Sequence, residues 1–274
     1  GDRRIPTEPV KVSFGLWYQL EDCEAGRLIA QANNALGRVR STFERVRHSR
    51  SLLLAMDDCK GVLGEKQWAD FAPTLAQKAK QYDEQQWNAF WLSEAVQTSL
   101  GRTTPLETAL QSNAPDLWRS LADAVMPVEN EPMDADAWYA AESALHRTAA
   151  VGEAIRFMVL TTHALNRVSD AIASSRADRD NCMRKDKRVV ALMRGHYGNE
   201  LQPLMAMGDT TLRVTSEVLQ DVVENMAPSD PVSDGMAAWR EQWAGQRIFL
   251  EYRSATRQHA AAIGRILAAC KMTL

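Results

Sequence analysis

The sequence predicts an all-α protein: an elongated bundle of long antiparallel helices with a proline-rich crossover and a short extended N-terminal arm. Three observations carry that expectation. Apolar residues recur at three- and four-residue steps through most of the 274 residues, as in a helix that buries one face. The chain holds only 14 glycines and 10 prolines, and 45% of it is hydrophobic, which excludes a disordered, collagenous or low-complexity polymer. A single segment, Val10 to Leu16, alternates with period two.

That segment defines the arm, residues 1–20, and the bundle follows over 21–274. The first long helix is expected over 22–58, with Leu28, Ala32, Ala35, Leu36, Val39, Phe43, Val46, Leu53 and Leu54 on its apolar face and Gly37 as its weak point. Gly61 and Gly64 close it, and a second helix runs over 66–100 to Gly101, with Pro73 in its first turn. Pro105, Pro115, Pro127 and Pro132 then confine residues 101–133 to two short helices, 105–111 and 115–125. This crossover is the one candidate sub-boundary.

Asp134 or Asp136 caps a third long helix, carried by Trp138, Ala141, Leu145, Gly152, Ile155 and Val159 and fading near Ser174. A charged helix over 179–194 comes next. Gly195, Gly198, Pro203 and Gly208 mark a loop before a helix over 209–226 capped by Asp209, and the last helix spans 234–270.

Charge narrows the function. Lys plus Arg number 32 against 35 Asp plus Glu, a net charge of -3, which lacks the positive footprint of a nucleic-acid binder. No stretch reaches the roughly 18 apolar residues that span a membrane as a helix. The partner expected is therefore another protein.

Catalytic spacings are missing. No Gly-x-Ser-x-Gly, His-Glu-x-x-His or phosphate-cradling glycine loop occurs, and none of the five histidines follows a glutamate by three residues, so no catalytic residue, metal site or cofactor is expected. Glu142 and His146, one turn apart, read as a surface pair. His163 reads as a core histidine, and Asp57-Asp58 as a helix-end turn rather than the start of a magnesium site.

Two groups of side chains are the candidates for partner binding. Arg38 and Arg45, like Arg40 and Arg47, are seven apart and share one face of the first helix, a stripe suited to an acidic surface. Trp87 with Trp91, and Trp239 with Trp243, are i,i+4 pairs that make aromatic faces, either core anchors or partner hot spots.

The four cysteines, Cys23, Cys59, Cys182 and Cys270, lack a C-x-x-C spacing, and three follow a polar residue at an expected helix end. Two disulfides, and hence a periplasmic or otherwise exported protein, are expected; four free thiols in a cytoplasmic one is the alternative. An unbroken first helix would hold Cys23 and Cys59 about 54 Å apart, leaving each to pair with Cys182 or Cys270. The functional expectation is a non-enzymatic bundle acting through protein–protein interaction, as an accessory or structural subunit of a larger assembly. The alternative is a helical enzyme or small-ligand receptor with a pocket inside the bundle.

Overall fold

In the computed structural model the described residues are 5, 7, 14–101, 104–111, 113–128, 131–148, 150–174, 193–226 and 246–269, and among them every regular element is helical. In order these are α1 (Phe14–Tyr18), α2 (Glu24–Asn33), α3 (Ala35–Arg38), α4 (Thr42–Cys59), α5 (Glu65–Trp91), α6 (Glu94–Gly101), α7 (Leu106–Leu110), α8 (Ala114–Val125), α9 (Ala135–His146), α10 (Ala150–Ser174), a π-helical stretch (Met193–Leu201), α11 (Gln202–Met226) and α12 (Arg247–Ala269). The protein is an all-α assembly of packed helices.

The chain forms two compact units. The first comprises Gly1–Thr98, Asp116–Arg147 and Val222–Trp239. The second comprises Ser99–Pro115, Thr148–Asp221 and Arg240–Leu274.

In the first unit α5 folds back along α4. Ser49 Oγ donates to Gln85 Oε1 at 2.7 Å, and nearer the turn the Lys60 ammonium lies 5.7 Å from the Trp68 ring centroid, so the helices run antiparallel. Leu20, Leu28, Ile29, Met56, Cys59 and Phe71 form one buried cluster that ties α2 to both.

In the second unit α10, α11 and α12 alternate in direction. Phe157 meets Gly208 and Leu165 meets Met205, while Tyr252 donates to the Met205 carbonyl at 2.8 Å and Gln246 to Gln220 at 2.9 Å. Both neighbouring pairs are therefore antiparallel. It follows that α10 and α12 lie parallel, joined by Leu165 against Ala255 and by Ser169 against His259.

The expected long helices are interrupted, and the interruptions have polar causes. The 22–58 segment is three helices because Asn34 Oδ1 accepts from the Gly37 amide at 2.8 Å and Ser41 Oγ from the Glu44 amide at 3.2 Å, each starting a new helix. Ser93 does the same for α6 by accepting from the Val96 amide at 3.2 Å, which splits the expected 66–100 helix. The third long helix stops at His146 and restarts at Ala150, where Gly152 presses on the end of α6.

Other expectations change for packing reasons. Pro73 lies inside α5 rather than in its first turn, because Phe71 is buried against Met56 and Cys59 and holds the helix in place ahead of the proline. The expected cap at Asp134 is present: its side chain accepts from the Ala137 amide. Asp209 does not cap a helix. It sits within α11 and reaches Arg253 at 3.5 Å, and Gly208 is a packing residue whose added Cβ would lie 3.0 Å from Phe157.

The alternation through Leu16 does not remain extended, since Phe14–Tyr18 is helical and the Trp17 indole donates to the Gly26 carbonyl at 3.1 Å. Val10 to Ser13, nearly all of the 179–194 helix, and the first part of the 234–270 helix lie outside the described residues.

Candidate functional site

The arginine stripe does not form as one face. The helix break at 39–41 puts Arg38 in α3 and Arg40 in the link, while Arg45 and Arg47 belong to α4. A seven-residue spacing aligns two residues only within one continuous helix. Arg45 is exposed. Arg47 Nη2 bonds Glu44 Oε2 at 2.7 Å, and the other Glu44 oxygen accepts from the Tyr139 hydroxyl at 3.0 Å. Arg50, next along α4, donates to the Glu131 and Val128 carbonyls at 3.1 and 3.2 Å, strapping the turn before α9 to α4.

Sequence reasoning missed what this cationic region surrounds. His48 is half-buried, and its imidazole is pushed down to about 4 by burial first, then by the Arg40 charge, with Lys78 and Arg47 adding to it. Burial also lowers the Lys78 ammonium, which donates to Gln81 Oε1 at 2.9 Å. A neutral imidazole among three cations is a weak proton acceptor, so acid–base work at pH 7 is not its chemistry.

The Trp87–Trp91 pair lies in the core of the first unit rather than on its surface. Trp87 and Trp91 are fully buried, with ring centroids 5.5 Å apart. Phe90 and Trp118 complete the cluster edge-on at 5.8 Å. Removed from solvent, this pair cannot be a partner hot spot; it anchors the packing. Trp239 and Trp243 lie outside the described residues, as do Cys182 and Cys270. A second aromatic contact, Phe43 stacked on Trp138 at 4.5 Å, joins α4 to α9.

Beside Trp87, Asn88 carries out a different task. It is 6% exposed in the last turns of α5, and its side-chain amide pairs with the backbone of Ile5, itself 1% exposed. The Ile5 amide donates to Asn88 Oδ1 at 2.9 Å, and Asn88 Nδ2 donates to the Ile5 carbonyl at 2.8 Å. One sequence signal pointed here: a polar residue inside the otherwise apolar buried run from Trp87 to Trp91.

The two cysteines that a continuous helix would have separated are brought together. Cys23, just before α2, and Cys59, the last residue of α4, have their sulfurs 2.06 Å apart, at disulfide distance, because the breaks at Asn34 and at 39–41 turn α4 back past α2.

The second unit holds a buried Ser169–His259 contact of 3.3 Å with the Tyr197 ring beside it at 5.5 Å. Ser169 also donates to the Leu165 carbonyl at 2.7 Å, and burial lowers the imidazole, so the pair reads as a satisfied polar link between α10 and α12. About three helical turns away, Ile155, Met158, Leu212, Leu219 and Phe249 line a mostly apolar cleft with about 10 Å³ of space, room for one water. His163, expected in the core, is exposed on α10. Glu142 and His146 share a face of α9, but among the described residues no third His, Cys, Asp or Glu joins any such pair to make a metal-holding group. No described helix is long and apolar enough to cross a membrane.

A family model described as "Protein of unknown function (DUF3080)" matches residues 2–274. The chain belongs to that family. Searches of curated proteins and of solved structures found no match.

In this DUF3080 chain α10 carries three of the ten exposed large hydrophobic residues among the described ones, Val159, Leu160 and Val168. Leu160 is 62% and Val168 47% exposed, with Val159 beside them. At 100° per residue, Leu160, Ala164, Val168 and Ala171 form one exposed strip, and Arg156, which pairs with Glu153 at 3.9 Å, His163, Arg167 and Asp170 border it on one side. The three- and four-residue spacing places Val159 on the apolar face; the described helices instead cover the opposite face of α10, where Ala154, Met158 and Leu165 are buried.

Proposed function

We propose that this chain is a non-enzymatic helical-bundle protein that works by binding another protein, as an accessory or structural subunit of an assembly outside the cytoplasm. The observation that carries the reading is the α10 strip. A row of aliphatic side chains left in water for over two turns of a helix costs solvation and suits a partner helix laid along it. The Cys23–Cys59 contact supports an oxidising compartment, since paired thiols persist there and are reduced in the cytosol.

A photo-activated cross-linker at Leu160 in the native host tests this. A discrete adduct that disappears in a Val168→Glu variant of unchanged helicity supports the reading. No adduct at Leu160, or one unaffected by Val168→Glu, counts against it. The alternative, a helical enzyme or small-ligand receptor, needs more room than the cleft beside Phe249, which takes about one water; an organic ligand retained in a native mass spectrum would favour it.

A further inference from the structure

We propose that the partner laid on the α10 strip is a second copy of this chain, with the two α10 helices antiparallel; this rests on the reading of the strip as a docking surface and names its occupant. The order of charges beside the strip points to it. Arg156, His163 and Asp170 follow one another at seven-residue intervals within one unbroken helix. Each such step drifts only about 20° around the axis, so the three stand in one line along the edge of Leu160 and Ala164. All five are exposed.

A line with a cation at one end and a carboxylate at the other complements a copy of itself only when reversed. Side by side in parallel, Arg156 would stand against Arg156 and Asp170 against Asp170. Turned antiparallel about an axis beside His163, each copy sets Arg156 against Asp170 of the other, and both pairs form together because a two-fold contact is reciprocal. Within its own helix Arg156 is held only loosely, since Glu153 is 3.9 Å away, at the outer limit of an ion pair.

The apolar positions agree with this register. The axis that opposes residues 156 and 170 also brings Leu160 of each copy to Ala164 of the other, a large side chain on a small one, which lets the helices approach closely. Val168 flanks that contact. Arg167, between the strip and the charged line, covers the rim with its aliphatic stem and keeps its guanidinium in water. From Arg156 to Asp170 the contact runs about 21 Å along the helix. One helix of that length buries less than the roughly 800 Å² per partner of a stable interface, so the product is a weak, concentration-dependent dimer.

The test is sedimentation velocity of the full chain from about 1 to about 300 μM, the range over which a micromolar dimer forms. A shift from monomer to dimer is expected. In Arg156→Asp both members of each cross-pair are acidic, and in Asp170→Arg both are basic, so either variant alone should dimerise at least about tenfold more weakly. Mixed in equal amounts the two variants should dimerise again, because each contact then joins opposite charges. If Arg156→Asp loses helicity by circular dichroism, Leu160→Asp at the centre of the contact replaces it: loss of the dimer supports the proposal and an unchanged dimer overturns it. A wild type that stays monomeric throughout, or mixed variants that associate no better than each alone, also overturns it. The cross-linker at Leu160 separates this proposal from the reading beneath it. An adduct of twice the chain's mass agrees with both. An adduct with a different protein, from a chain that is monomeric in solution, leaves the docking surface standing and sinks the second copy. Neither adduct nor dimer sinks both.

Discussion

Cys23 and Cys59 stand 36 residues apart in sequence and 5.8 Å apart at Cα, joining the start of α2 to the end of α4. Cys59 is fully buried in the cluster of Leu20, Leu28, Met56 and Phe71, so the link closes the chain around packing that already exists. A cross-link over a loop of this length removes denatured-state freedom worth about 2–4 kcal/mol. The Cys23→Ser/Cys59→Ser chain should therefore unfold at lower denaturant concentration, and a reducing agent should shift the wild type towards it. Coincident wild-type curves with and without reductant would show that the thiols are not bonded.

Gly152 and Gly264 should respond oppositely to alanine. An added Cβ at Gly152 would lie 2.2 Å from the Leu100 carbonyl oxygen, a backbone atom that can move only with the end of α6. At Gly264, inside α12, the same Cβ meets nothing within 4 Å. Gly152→Ala is expected to destabilise by about 1–3 kcal/mol and Gly264→Ala to stabilise by about 0.5–1 kcal/mol. Thermal melts of the two variants check the sign of each.

These contacts divide what the sequence discloses from what it conceals. The helical fold class and the short helices of the crossover are legible because each follows from local periodicity and proline placement. The restarts at Asn34, Ser41 and Ser93 are not. A cap residue looks like any polar residue on the exposed face, and the apolar register runs on across the break. An unbroken first helix implies both the wrong cysteine pairing and the false alignment of Arg40 with Arg47. The cationic character of α4 was visible, but the Val128 and Glu131 carbonyls that Arg50 holds are about 80 residues away and carry no side-chain signature. Asn88 left a trace only as a polar intruder among buried aromatics.

Acid should weaken the first unit through His48. Its imidazole is held down to about 4 in the folded chain, against about 6.5 when unfolded, so between those values the unfolded state binds more protons. Stability is then intact above about pH 6.5 and falls as the pH drops towards 4. Partial exposure screens the effect to on the order of 1–2 kcal/mol. Asp83, whose carboxyl burial raises, acts in the opposite sense, so the difference between wild type and His48→Gln isolates the histidine. Chemical denaturation at pH 7 and pH 4.5 should show a smaller loss for His48→Gln; parallel losses would put the acid sensitivity elsewhere.

The arginines of α4 should separate by what they hold. Arg47 makes an i,i+3 pair with Glu44 on a side chain 44% exposed, and such surface pairs contribute about 0–1 kcal/mol, falling with salt. Arg50 instead spends its guanidinium on two carbonyls of the turn before α9 and lies 5.9 Å from the Tyr82 ring centroid. Carbonyl acceptors carry no net charge, so salt screens that contact less. Arg47→Ala is expected to cost under about 1 kcal/mol and to become neutral at 1 M salt, whereas Arg50→Ala should cost about 1–2 kcal/mol at either ionic strength. Denaturant midpoints of both variants at low and high salt decide it: a salt-sensitive Arg50 loss would mean that its role is electrostatic and that the turn is held by other contacts.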